Sequence, residues 1–224
     1  MARRVQADGS GRVAAGDASG RRLTAGERRQ QLFTVALQLF AERGYRATTM
    51  EDVAEAGGVT KPLLYQHFSS KRALYLELVD SVAHDLLAAI GEATAAAEGP
   101  RAQVELGFAA YFRMVVTHEE AFCLLYGRAD AGDPDLGTAL RRVEDAIIEA
   151  VDPLIAAGLT PEHRRLLASA LVGMAEGASR HWIARRSGQA GTPGLGGDPA
   201  AEADRLARRM AELAWGGLRS VHAD

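Results

Sequence analysis

The chain has one cysteine, Cys123, so an intrachain disulfide is excluded. In Ala121-Phe122-Cys123-Leu124-Leu125 this residue suits a small buried position better than a nucleophile. No stretch approaches the ~20 consecutive apolar residues that a membrane helix requires, and no membrane partner is expected. Arg3 and Arg4 follow Met1 without an apolar run behind them, which is not a signal-peptide pattern, so a cytoplasmic location is expected. Strand-like alternation of apolar and polar residues appears nowhere. Also missing are Gly-x-Ser-x-Gly, the phosphate-cradling Gly-x-x-x-x-Gly-Lys loop and a His-x-x-x-His pair. Gly194-Leu195-Gly196 lacks both the preceding strand and the third glycine of a dinucleotide fingerprint. His118 beside Glu119 and Glu120 could be joined with His163 or His181 into a metal or acid–base site, but polar residues at a helix junction are the simpler account. No catalytic residues, metal ligands or cofactors are therefore expected, and the chain is not expected to be an enzyme.

What is present suits a helical globular protein. The 224 residues are 47% hydrophobic, enough for a buried core in one or two domains. The net charge of −3 is unevenly spread: residues 1–71 carry eleven Lys and Arg against seven Asp and Glu, and the remainder carries fifteen against twenty-two. A basic first third can meet phosphate while the acidic remainder stays soluble.

The stretch from Thr48 to Lys71 organises the rest. Thr48 with Glu51 three residues later reads as a capping box that starts a helix at about Thr49. Met50, Val53 and Ala54 give that helix an apolar stripe, and Gly57-Gly58 permit a tight reversal. Thr60 is expected to cap a second helix, with Pro62 tolerated in its first turn. Only Leu64 and Phe68 need point inward, which leaves Lys61, Pro62, Leu63, Tyr65, Gln66 and His67 near or on an outward face. A helix too short to be stable alone is there to be presented, and a helix of this width fits the DNA major groove. Lysine can donate to guanine O6 and N7, Pro62 and Leu63 suit a thymine methyl, and Tyr65, His67 and Lys71 can donate to phosphate. A helix-turn-helix is the expectation. A helical hairpin whose Tyr65 and His67 merely pack or face solvent is the alternative.

Gly44-Tyr45, Thr48-Thr49-Met50, Val53-Ala54, Gly58-Val59-Thr60-Lys61 and Leu64-Tyr65-Gln66-His67-Phe68 with Lys71 resemble the TetR family of bacterial transcriptional regulators. The resemblance covers Glu27 to about Leu78. It implies a two-domain, all-α homodimer with an N-terminal three-helix DNA-binding domain and a C-terminal helical bundle for ligand binding and dimerisation. It also implies base contacts from Lys61, Pro62 and Leu63, and phosphate contacts from Thr49, Tyr65, His67 and Lys71, with Thr60 at the start of the reading helix. Glu51 stands where some members read a base, but its spacing from Thr48 is already accounted for as a cap.

Three regions follow: a disordered basic tail over 1–24, the helix-turn-helix over 25–70, and the ligand-binding and dimerisation domain over 71–224. Leu32, Phe33, Ala36, Leu37 and Phe40 repeat at helical spacing before Gly44 stops the first helix. Leu74, Leu78, Val82, Leu86 and Ile90 run through a long helix that lasts until Gly99-Pro100. Further helices are expected at about 101–117, 119–128, 134–157, 161–186 and 199–221. Asp133-Pro134, Thr160-Pro161 and Asp198-Pro199 each place a capping oxygen before a proline at the first helical position.

The second domain holds an apolar surplus: Phe108, Tyr111, Phe112, Val115, Phe122, Leu125, Tyr126, Met174 and Trp182, with Ile147, Val151 and Leu171. Much of it must be core, yet apolar spaces between bundle helices are also where small molecules bind. Leu171-Val172-Gly173-Met174, Arg180-His181-Trp182 and Leu213-Ala214-Trp215-Gly216-Gly217-Leu218 resemble a TetR branch that senses long-chain fatty acyl-CoA. That resemblance implies an apolar effector such as an acyl-CoA. The expected protein is a ligand-responsive regulator, repressing from a palindromic double-stranded DNA operator. A constitutive architectural DNA binder, an enzyme remnant and a small-molecule carrier that has lost DNA binding are the rivals. Leu206, Met210, Leu213 and Gly217, with Gly173, Gly177 and Ala178, are the expected dimer contacts.

Overall fold

The computed structural model describes residues 23–126, 134–155, 158–186 and 198–221; of the tail expected over 1–24, residues 1–22 lie outside them, as does the cap at Asp133, while Thr24 belongs to the cap of the first helix. Among the described residues the chain forms nine α-helices and no strand. They are α1 (Ala25–Ala47), α2 (Met50–Ala56), α3 (Lys61–His67), α4 (Lys71–Ala95), α5 (Pro100–Thr117), α6 (Glu119–Tyr126), α7 (Pro134–Val151), α8 (Pro161–Arg186) and α9 (Pro199–Leu218).

The helices start and stop where local chemistry dictates. Thr24 and Glu27 form a capping box at α1. Asp198 accepts from the Ala200 N–H at the start of α9, and Thr160 accepts from the His163 N–H at the start of α8. Gly44, with φ 81°, interrupts α1 where a stop was expected, because a left-handed backbone there is open to glycine alone at no steric cost. One expectation failed at α7, which ends at Val151 rather than continuing to 157. Pro153 has no N–H for the helical ladder, and Asp152–Leu154 tightens into a 3-10 turn.

One apolar cluster runs through the chain. Leu32, Ala36, Leu39 and Phe40 of α1 meet Met50, Val53 and Ala54 of α2 and Leu64 of α3. The expected stripe on α4 is buried from end to end, as Leu74, Leu78, Val82, Leu86 and Ile90. The first part of α4 packs against α1, while the rest lies along α5 and α7, so this one helix belongs to both halves of the molecule. On α9 a seam of Ala203, Ala207, Ala211 and Ala214 is buried, and these small side chains let α9 lie close along α5.

The two halves also meet at α6, which packs on α1 and touches α4. Phe40 and Tyr45 stack with centroids 6.0 Å apart, and Tyr75 meets them edge-on at 5.3 and 5.0 Å. The Tyr75 hydroxyl donates to the Leu124 carbonyl of α6 at 3.2 Å.

Lys71, expected to meet phosphate, has a different place. Its ammonium donates to the carbonyls of Tyr45 at 2.8 Å and Thr48 at 2.9 Å, and lies 4.4 Å from the Tyr45 ring centroid. It closes the end of α1 against the start of α4. Replacing Lys71 with Met leaves two carbonyls without their donor and should lower stability by about 1 to 3 kcal/mol in urea unfolding. An unchanged urea midpoint would show that this clamp contributes nothing.

A candidate nucleic-acid interface and an apolar cavity

The reading unit is built from two short helices that cannot stand alone. The start of α2 differs from expectation by one residue. Thr49, not Thr48, is the cap: its hydroxyl accepts from the Asp52 N–H at 3.1 Å, and Asp52 accepts from the Thr49 N–H at 2.7 Å and from its hydroxyl at 2.6 Å. Thr48 is fully buried, and its hydroxyl donates to the Gly44 carbonyl at 2.9 Å and sits 3.2 Å from that of Leu39. The sequence offers two threonines, each with an acid three residues on. The end of α1 takes Thr48, so the next pair makes the cap.

The two turn glycines serve different ends. Gly58 adopts φ 62°, the left-handed step that reverses the chain. Gly57 is right-handed, but a Cβ there would come within 2.5 Å of the Leu32 side chain, so it is glycine for space. Thr60 occupies the cap position of α3 by its backbone, but its hydroxyl makes no capping bond. Pro62, the second helical residue, removes one of the two N–H groups that such a cap can accept from, and the hydroxyl does not take the other, that of Leu63.

Inward, α3 buries Leu64, and Phe68 follows it into the core. Phe68 stacks on Phe33 at 6.2 Å, and the Arg29 guanidinium lies 4.8 Å from its ring centroid while pairing with Glu77 of α4. This fixes the tilt of α3 on α1 and α4. Outward, Thr49, Thr60, Lys61, Pro62 and Gln66 are exposed, Tyr65 is 43% exposed, and Leu63 and His67 are half-buried. The structure thus brings seven of the eight expected DNA-contacting residues to the exposed edge of one unit, and withdraws Lys71 to the clamp. Sequence reasoning set Glu51 aside as a cap. It instead reaches across the turn and pairs with the Lys61 ammonium. That hydrogen bond holds the Glu51 carboxyl below its usual range and raises Lys61 above its own.

At the other end of α4 lies a cavity of about 90 Å³. Its walls are Ile90 and Thr94 of α4, Gln103, Val104, Gly107, Phe108 and Tyr111 of α5, Ile147 and Val151 of α7, Leu154 and Ile155 after it, Leu171, Val172 and Ala175 of α8, and Leu218 of α9. Almost all of this surface is apolar. The Thr94 hydroxyl is turned back onto the Ile90 carbonyl at 2.8 Å, and the Tyr111 hydroxyl lies 3.2 Å from the Ser179 hydroxyl.

Of the expected ligand-contacting residues, only Phe108 and Tyr111 line this cavity. Phe112, Val115, Phe122, Leu125 and Trp182 are buried core away from it, Met174 is half-buried outside it, and the Tyr126 side chain lies outside the described set. Large aromatics mark burial, whereas the wall is mostly aliphatic. Ile147, Val151 and Leu171 of the wider apolar set are in it, and Gly107 and Ala175 carried no signal of their own.

Residues 32–78 match the family model described as bacterial regulatory proteins, tetR family, and residues 100–217 match the tetracyclin repressor-like C-terminal domain. The HTH-type transcriptional activator FasR of Mycolicibacterium smegmatis is 29% identical over 223 residues, covering 99% of this chain and 96% of that protein. The HTH-type transcriptional repressor KstR2 of Rhodococcus jostii is 41% identical over 78 residues, 35% of this chain and 38% of that one. Among solved structures, the transcriptional regulator FadR from Bacillus subtilis, in complex with stearoyl-CoA, aligns with a TM-score of 0.69 over 86% of this chain and 99% of its own at 15% identity, a likeness of fold.

The cap at α2 is open to a pH test. The Thr49 hydrogen bonds lower the Asp52 pKa from its ordinary 3.8. A lowered folded-state value means that this stabilisation is complete above the ordinary value and disappears as pH falls through the folded one. In thermal unfolding, Asp52→Asn should therefore differ most from wild type near neutral pH, and the gap should shrink as acid protonates the carboxyl. A gap independent of pH would remove the carboxylate from the cap.

Proposed function

This chain belongs to the TetR family of bacterial transcriptional regulators, and from that premise we propose that it is a homodimeric regulator whose operator binding is set by an apolar effector. The family and the relatives above are regulators, not enzymes. The observation that carries the proposal is α4: its first residue, Lys71, clamps the reading unit, and its far end supplies Ile90 and Thr94 to the cavity wall. At 1.5 Å per residue these points are roughly 28 Å apart on one continuous helix. A ligand that moves the wall moves the reading unit.

The operator is a palindromic double-stranded site in the cytoplasm, with half-sites about one DNA turn, ~34 Å, apart. Lys61, Pro62 and Leu63 meet base edges, and Tyr65, His67, Thr49 and Thr60 lie toward the backbone. No helix among the described residues is long and apolar enough to cross a membrane. Two copies join through α8 and α9, where Leu166 and Leu213 are 66% and 61% exposed, far more than the other large apolar residues among those described. Leu206 and Met210 beside them are half-buried, and Gly173 and Gly177 are exposed with open space where a side chain would stand. A two-fold interface would cover this surface.

The effector is a long-chain acyl compound such as a fatty acyl-CoA. The wall offers hydrocarbon and almost no free polar group, and a related fold has stearoyl-CoA bound. At about 90 Å³ the cavity is below the ~300 Å³ at which ligand pockets usually begin. A long chain enters only if α4, α5, α7 and α8 part, and this parting is what a ligand must drive to change DNA affinity. Repression, relieved by ligand, is the sign we adopt. Activation is the second reading, favoured by the name of the relative FasR, and needs only that the ligand prefer the DNA-binding conformation.

Calorimetry with an acyl-CoA series should give affinity rising with chain length, at about 0.8 kcal/mol or fourfold per CH₂. Val104→Phe should cut the affinity for the longest chains while leaving the melting temperature close to wild type. Operator DNA should weaken acyl-CoA binding by a coupling of about 1 to 3 kcal/mol, or strengthen it if the protein activates. Affinity that is flat across chain lengths rejects the acyl pocket, and affinity indifferent to DNA rejects the switch.

The assembly has its own test. Leu213→Glu places a charge on a side chain that is mostly exposed in one subunit, so the subunit should fold and sediment as a monomer. A dimer as tight as wild type would move the interface elsewhere.

A further inference from the structure

The Glu51–Lys61 pair joins α2 to α3 across the turn, with side chains 63% and 47% exposed. Neither residue is needed for the local fold. The first turn of α2 is closed by Thr49 and Asp52, and the Lys61 side chain packs into no core. The pair sets an ammonium donor beside a carboxylate acceptor on the same exposed edge as Pro62 and Tyr65.

That order has a complement in the major groove. A G·C pair presents two adjacent acceptors, guanine N7 and O6, and then the donor N4 amino group of cytosine. An ammonium over N7 and O6 leaves the neighbouring carboxylate against N4. On an A·T pair the ammonium keeps the N7 acceptor but meets the adenine N6 amino donor in place of O6, and the carboxylate meets the thymine O4 acceptor, a mismatch. We propose that Glu51 and Lys61 act as one unit that reads a single G·C pair in each half-site, Lys61 on guanine and Glu51 on cytosine. The assignment rests on the reading of this chain as an operator-binding regulator.

The electrostatics favour a joint role. A carboxylate brought alone among phosphates is repelled, and here the ammonium it already holds accompanies it. Both groups are charged at neutral pH, and because they already pair in the free protein the unit arrives at DNA already formed. Meeting the base pair turns both groups from each other toward the base edges without leaving either charge unpartnered.

Selection from a DNA pool randomised through both half-sites, with full-length wild type, Glu51→Gln, Glu51→Ala and Lys61→Met, tests this. Circular dichroism should be unchanged in all variants, because both side chains are exposed. Wild type should fix one position per half-site as G·C. Glu51→Ala and Lys61→Met should each relax that same position by about five- to 150-fold, the range of one good base contact. Glu51→Gln should shift it toward A·T, since a carboxamide pairs with adenine N6 and N7. If the Glu51 variants leave every position as wild type has it, or if Glu51 and Lys61 variants relax different positions, the assignment is overturned while the regulator stands. If wild type selects no sequence at all, the regulator and the assignment fall together.

Discussion

The fold hinges on how the chain leaves α1. Gly44 turns left-handed, Thr48 folds its hydroxyl back onto the carbonyls of α1, and the Lys71 ammonium gathers the carbonyls of Tyr45 and Thr48 beneath the Tyr45 ring. Together these satisfy backbone acceptors that a helix end leaves open, and they do so with a residue that begins the next long helix. The reading helices depend on this. α3 buries one side chain of its own, Leu64, and borrows Phe68 behind it, too little to hold a seven-residue helix at a fixed angle without α1 and α4.

The same constraint ties the reading unit to the second half of the molecule. α4 carries a buried apolar stripe along its whole length, and the Tyr75 hydroxyl fastens it to α6. A stiff helix packed from end to end in one continuous core cannot shift at one end alone. The cavity lies at the far end, and its small volume leaves the helices around it well packed. Close packing resists gradual deformation, so an occupant that forces the walls apart favours a second discrete arrangement. Away from the cavity, the alanine seam of α9 lies close along α5.

Most of the architecture was legible in the residues. The helical period on α1 and α4, the proline-led starts of α8 and α9 and the glycine turn before α3 all appear where spacing placed them, because each is set by chemistry within a few residues. The exposed edge of the reading unit was legible for the same reason, since Leu64 and Phe68 are the only apolar pair at inward spacing. The errors lie where two local solutions compete. Thr48 and Thr49 both head a capping box on paper, and the tertiary fit of Thr48 beneath α1 decided between them.

What the sequence determined alone is therefore the all-α class, the helix-turn-helix and the face it presents, since periodicity, caps and turn residues act over short separations. What only the tertiary structure decided is the use of single side chains. Lys71 clamps the end of α1 because the carbonyls of Tyr45 and Thr48, more than twenty residues earlier, converge on it. Glu51 became the partner of Lys61 because the turn brings them together across ten positions. The cavity wall fell mostly to aliphatic residues, with Phe108 and Tyr111 the aromatics among them, because an apolar side chain has the same pattern in a packed core and beside a space. Which one it faces depends on how five helices and the turn after α7 converge, and no local spacing encodes that.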